Sequence, residues 1–433
     1  MPLWSFGTST HILFHIPTCL LFDIEESQKA NDDVSRSHGA RNPSNVDAFA
    51  ISKLEDFLNT NKAWVNQLVS ATPHLEFLKT WRNPFKLETA GDLHPTGMEQ
   101  LYQIAKRMRE GVLRELVDER GYVPHRHRFS SSAVGRTLKS AQVWSTVFFS
   151  DDTSKDMLGV NLQIDTTPTA DDWALRFFEA CESFYLADQT GAHHFEFDLF
   201  RETAFEKDGG LYDAFLERLG EHDSGLDKSH ILAMYQLCVF ESTLDNTETG
   251  FCSLFEAKDI DAYDYLKDLS HYWSRAHGNP FGKSLAAPLL KQIIGKYDKM
   301  VDLEMEGQTE GNPVIKSAQE GEAVSFMFGH AETIIPLISL MGLYEDSHHW
   351  KHDSPKETWM QRMFKTSEIS PFSANVGFLL YECDGGDPYI RVQHNEKDVT
   401  VPGCSGTICP WAEFKRALAH VQDISNLSAR CRL

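Results

Sequence analysis

The run AVSFMFG, residues 323–329, carries no charge and leads straight into the polar stretch HAET. Apolar residues without regular alternation suit a strand buried on both faces, which needs helices on either side of its sheet. The following HAETIIPLISLMGLY reads as a helix, and NVGFLLYEC and YIRVQHNE read as later strands. Earlier, HRFSSSAVGRTLKSAQVWSTVFF reads as a strand ending in small residues, a turn at Gly135 and a helix. NVDAFAISKLEDFLNTNKAWVNQLV, 45–69, and the segment 94–116 have apolar residues at helical spacing. Between about 166 and 318 helical patterns dominate. The predicted fold class is α/β, a mostly parallel sheet flanked by helices. Residues 37–165 and 319–425 supply its core, 166–318 form a helical insertion domain, and 426–433 form a tail. Residues 1–36 read as an atypical, irregular and poorly ordered lead-in.

At 433 residues the chain exceeds the usual size of one domain, roughly 100–200 residues. A net charge of −22, spread along the sequence, argues against nucleic-acid or anionic-membrane partners. An anionic small-molecule substrate would need a locally basic pocket. No segment reaches the roughly 18 apolar residues of a transmembrane helix. The apolar HILFHIPTCLLF is interrupted by Pro17 and has no Lys or Arg before it, so it is a weak signal peptide. Of eight cysteines, Cys238 and Cys252 lie near each other, as do Cys404 and Cys409. The spacing suits disulfide-closed loops, and buried free thiols fit as well. Without CxxC spacing or a His/Cys cluster, zinc is not expected. Asn426 opens an Asn-Leu-Ser glycosylation sequon.

In open α/β sheets ligands gather where strands end and helices begin. Three such junctions carry unusual polar residues. The first, SHGARNPS, holds His38, Gly39 and Arg41 before a helix. Its glycine lets an anion approach the backbone, and its arginine offers a donor fork shaped for phosphate. The second places Arg136 just beyond Gly135, and the third places His330 and Glu332 at a strand-to-helix turn. Each alone has a plain structural reading, as a solvated turn, a surface arginine or a helix-capping pair. Their joint order at three strand ends points to phosphate chemistry.

HGARNP resembles the Arg-His-Gly-x-Arg-x-Pro signature of the histidine acid phosphatases, and FGHAET resembles the His-Ala-Glu form of their second signature. That form, with LRFFEACESF and FCSLFEAKDIDAYDYLKDLSHYW, is similar to the multiple inositol polyphosphate phosphatase branch. The resemblance implies a histidine-phosphatase-like fold and hydrolysis of phosphate monoesters on inositol polyphosphates, phytate included, with 2,3-bisphosphoglycerate a further substrate. It casts His38 as nucleophile, Glu332 as proton donor, and Arg36, Arg41, Arg136 and His330 as phosphate ligands. No metal or other cofactor is implied. A secreted or endoplasmic-reticulum location follows from the same resemblance, and favours disulfides at Cys238/Cys252 and Cys404/Cys409.

In one respect the chain departs from the signature. Ser37 separates Arg36 from His38, whereas the family has arginine directly before the histidine. Shifting an extended backbone by one residue turns a side chain to the other face, and a lost charged donor would cost about 2–4 kcal/mol of transition-state stabilisation. Directly upstream, EESQKANDDVSR offers only Ala30 and Val34 as apolar residues, so a buried strand feeding His38 is missing there. The alternative expectation is a catalytically impaired homologue that binds phosphate ligands.

Overall fold

The computed structural model describes residues 11–17, 40–114, 122–149, 162–204, 210–219, 225–244, 250–309, 322, 324–381 and 387–432. Its strands are β1 His11–Pro17, β2 His127–Ser132, β3 Ile164–Thr167, β4 Val324–Gly329, β5 Asn375–Tyr381, β6 Tyr389–His394, β7 Lys397–Val399 and β8 Ile408–Pro410. They form one sheet in the order β3-β2-β4-β1-β5-β6-β7, with β8 paired to β6. β2 runs parallel to both β3 and β4, while β5 and β6 are antiparallel.

The first helices are α1 Asn45–Thr60, α2 Lys62–Ala71, α3 Pro95–Glu110 and α4 Gly135–Phe149. Then come α5 Phe177–Ala180, α6 Glu182–Gln189, α7 Phe195–Ala204, α8 Leu211–Arg218 and α9 Lys228–Leu244. α10 Ala257–Arg275, α11 Pro280–Ser284, α12 Ala287–Thr309 and α13 Ala331–Leu340 follow. The single helix expected over 45–69 breaks at Asn61, whose φ of −102° and ψ of 39° leave the helical region.

The strand sequences explain the layering. Every residue of β4 is buried. Successive side chains on a strand face opposite sides. Phe326 and Phe328 accordingly pack with Phe129, Trp144 and Phe148 in the layer built by α3 and α4. Met327 faces the other layer, with Ile293, Ile334 and Ile338 of α12 and α13. β5 repeats the division, sending Leu379 to the first layer and Val376, Phe378 and Leu380 to the second. Each such side chain contributes on the order of 2–3 kcal/mol by leaving water.

Packing crosses the divisions read from the sequence. α1 and α2 share a hydrophobic cluster with α8 and α9. The second sheet layer is continuous from Leu175 of the helical stretch to Cys431 near the C-terminus.

Within the range 1–36, read as irregular, the described residues His11–Pro17 are instead a strand, β1. HILFHIP occupies the slot between β4 and β5, antiparallel to the first and parallel to the second. Both neighbours are buried and offer rows of backbone donors and acceptors that need partners. This apolar run meets that demand, while the segment directly before His38, from which no strand was expected, lies outside the described residues. Its direction matters: His11 pairs with Gly329 at one edge, and Pro17 pairs with Leu380 at the other. Residues 1–10 and 18–39 lie outside the described residues.

Candidate active site

The carboxyl ends of β2 and β4 lie side by side, with Ser131 opposite Phe328. From this edge the chain turns into α4 and α13. At the first turn, Thr137 Oγ1 donates to the carbonyl of Ser132 at 3.0 Å and lies 2.9 Å from Ser132 Oγ. At the second, the His330 amide donates to Thr333 Oγ1 at 3.1 Å, and that hydroxyl donates to the Leu175 carbonyl at 2.7 Å. A Cβ on Gly329 would fall 2.8 Å from Thr333 Oγ1, so glycine is required for this close turn.

These turns aim the His330 ring into a cationic cluster. The imidazole is buried, with Nε2 2.9 Å from Ser132 Oγ and 2.9 Å from Arg176 Nη1. Its Nδ1 lies 3.1 Å from Arg136 Nη2. A neutral imidazole accepts at one ring nitrogen only, and a guanidinium only donates. His330 therefore cannot accept from both arginines together, which leaves donor capacity for an anion placed between them. Phe178 packs edge-on to the ring at 6.1 Å and lies 5.3 Å under the Arg176 guanidinium, which also pairs with Glu179.

Arg41 enters from a separate loop. Residues 40–43 are fastened to the segment before α3: His94 donates its amide to the Ala40 carbonyl at 3.0 Å, and Asn42 donates to the Asp92 carbonyl at 2.9 Å. The Arg41 side chain is buried and donates from Nη1 to the Asn42 carbonyl at 2.6 Å. Burial pulls its guanidinium down to about 10; Asp47 opposes this, Arg136 adds to it, and Glu332 opposes it. Burial likewise lowers Arg136, with Glu332 opposing and Arg176 reinforcing. The cluster thus packs like charges closely enough to disfavour one another, a condition that a bound dianion relieves.

Glu332 lies in the first turn of α13 and is largely buried. Its Oε1 is 3.7 Å from Arg275 Nη1, and its Oε2 has no hydrogen-bond partner among the described residues.

Of the residues expected from sequence, Arg41, Arg136, His330 and Glu332 converge. His38 and Arg36 lie outside the described residues. Arg176, Arg275 and Ser132 were not anticipated as site residues. Arg176 stands in the apolar ALRFFEA, and a charged residue in such a run is the signal that could have found it. Cys238–Cys252 and Cys404–Cys409 are bonded, and a third disulfide, Cys181–Cys431, fastens the C-terminal segment beside α5. Asn426 is exposed.

Comparison with known proteins gives the family and the fold. Multiple inositol polyphosphate phosphatase 1 of Dictyostelium discoideum is 28% identical over 307 residues, 62% of this chain and 48% of the relative. Its Homo sapiens counterpart is 27% identical over 275 residues, 61% of this chain and 53% of the relative. The chain thus spans about half the length of these two curated relatives. Among solved structures, the phytase from D. castellii superposes with a TM-score of 0.68 at 16% identity, covering 98% of this chain and 81% of that one. The Bifidobacterium longum multiple inositol polyphosphate phosphatase in complex with inositol hexasulfate gives 0.54 at 16% identity, covering 100% and 96%. These structural likenesses establish a shared fold. The family model described as histidine phosphatase superfamily (branch 2) matches residues 34–395, and the chain belongs to that family.

Proposed function

We propose that the chain is a phosphomonoesterase acting on inositol polyphosphates, phytate and its lower phosphates included, and on 2,3-bisphosphoglycerate as a smaller substrate. The observation that carries this reading is the convergence of Arg41, Arg136, Arg176, His330 and Glu332 at the edge of β2 and β4. In a net acidic protein, that cluster supplies the local positive charge an anionic ester requires. The names of the relatives point to the same substrate class.

In the proposed reaction an imidazole nitrogen of His38 attacks phosphorus. The phosphorus–oxygen ester bond breaks, and the leaving alkoxide takes a proton from Glu332. Water then attacks the phosphohistidine, giving its proton to the Glu332 carboxylate and releasing inorganic phosphate. Arg41, Arg136, Arg176 and His330 stabilise the charge on the equatorial oxygens in both steps. Three disulfides support an oxidising compartment, secretory or lumenal.

The test is phosphate release from phytate at acid pH, with and without a metal chelator, by the wild type and by His38→Ala. The reading expects chelator-insensitive release that His38→Ala abolishes. Release that chelation stops while His38→Ala leaves it intact would overturn the mechanism. A second reading, a homologue that binds phosphate esters without hydrolysing them, is favoured by the direction of β1. Its carboxyl end lies away from the edge that carries His330. Phytate binding without phosphate release at high protein concentration would select this alternative.

A further inference from the structure

We infer that Arg275, bracketed by Glu332 on one side and Asp188 on the other, is a positioning residue that orients the Glu332 carboxyl and sets the pH above which it stops donating a proton. The inference rests on the proposed role of Glu332 as proton donor.

Arg275 is the last residue of α10, and its guanidinium is buried. Nε donates to Ser274 Oγ at 3.0 Å, which fixes the plane of the fork. Nη1 then faces Glu332 Oε1 at 3.7 Å, while Nη2 donates to Asp188 Oδ2 at 3.2 Å. Two carboxylates therefore share one cation. A cation close to a carboxyl favours its ionised form. Asp188 divides that influence, because its negative charge occupies half of the same fork.

The other charged groups around this pair do not replace it. Arg136 and Arg41 interact with Glu332 from α4 and from the 40–43 loop, but both also belong to the phosphate cluster. A bound dianion would draw on their charge, whereas Arg275 is anchored by Asp188. On the far side, His194 Nε2 lies 3.8 Å from Asp188 Oδ1. Burial works to raise Asp188, but His194, Arg275 and His271 outweigh it and hold the carboxyl down at about 2. Asp188 thus stays ionised throughout the range in which Glu332 would act, a fixed counter-charge to Arg275. His193, near Asp188, is held below the ordinary histidine value by burial.

The experiment measures the pH dependence of kcat for phytate hydrolysis by the wild type and by Arg275→Gln, Arg275→Lys and Asp188→Asn, with Glu332→Gln as reference. Loss of turnover in Glu332→Gln first establishes the underlying reading. Without Arg275 the carboxyl keeps its proton to higher pH, so Arg275→Gln should move the basic limb upward by about one pH unit. Asp188→Asn leaves Arg275 wholly to Glu332 and should move the same limb downward. Arg275→Lys, which keeps the charge and loses the fork, should retain the wild-type limb at a kcat roughly 10-fold lower. General damage to the fold lowers kcat without moving the limb in opposite directions. An unmoved limb, or the same direction in both variants, overturns the inference while the phosphatase reading stands. If the wild type releases no phosphate, the phosphatase reading fails instead. Titration of the Glu332 carboxyl by carbon-13 NMR, assigned with Glu332→Gln, then decides the inference through the same opposed displacements.

Discussion

Two of the places where the molecule buries arginine and histidine serve different ends. In the helical layer, Arg362 donates from Nε to Asp268 Oδ2 at 2.5 Å and from Nη1 to the Trp359 carbonyl at 2.6 Å. Burial pulls on its guanidinium, but Asp268 outweighs that pull and raises it above the ordinary value. Nearby, His394 satisfies both ring nitrogens in one neutral tautomer: Nε2 donates to the Ile369 carbonyl at 2.7 Å, and Nδ1 accepts from Tyr344 at 2.7 Å. At the edge of β2 and β4 the same residue types are arranged otherwise. Arg41 and Arg136 are lowered, and no neutral tautomer of His330 can accept from both flanking guanidiniums. In the first region the buried guanidinium and imidazole find partners for their hydrogen bonds, as in a structural network, even though burial raises the Asp268 carboxyl. The second crowds like-charged donors around one ring, the arrangement that the proposed phosphate site calls for.

The contrast breaks most easily at its structural end. Asp268→Ala leaves Arg362 buried without its counter-ion and removes the acceptor for the Thr366 amide and hydroxyl. The expected loss is about 3–5 kcal/mol of unfolding free energy, read from urea denaturation. Activity per folded molecule should be unchanged, and a loss below about 1 kcal/mol would remove the distinction between the regions. His394 sharpens it through pH. Burial holds the ring down at about 4, against an ordinary value of 6.5. The unfolded chain therefore binds the proton first as pH falls. The contribution of His394 is complete above 6.5 and is lost progressively as pH falls to about 4, some 3 kcal/mol in all. Stability measured across that interval should fall more steeply in the wild type than in His394→Gln.

How much of this was legible in the sequence depends on how far apart the cooperating residues lie. β4 and β5 stood out because strands buried on both faces must be apolar throughout. Arg136, His330 and Glu332 were legible because each directly follows a strand end. β1 was missed because apolar residues were sought directly before His38, whereas the sheet takes its strand from His11–Pro17 and runs it antiparallel to β4. Arg176 meets His330 across 154 positions, and Cys181 meets Cys431 across 250. Contacts of that kind are set by tertiary packing, and local periodicity carries no trace of them. Arg275 was invisible for the same reason: its spacing on α10 is ordinary, and only the fold brings it to Glu332 and Asp188.

The most direct test of the central claim is calorimetric titration of inositol hexasulfate, a non-hydrolysable polyanion, into the wild type and Arg136→Ala, with the unfolding free energy of both measured in parallel. Saturable wild-type binding is expected, weakened on the order of 100-fold in the variant, a difference of about 2.7 kcal/mol. The variant should meanwhile be as stable as the wild type or more so, because a like charge has been withdrawn from a crowded cluster. Equal affinity in the two proteins, or a variant destabilised as Asp268→Ala should be, would contradict the account.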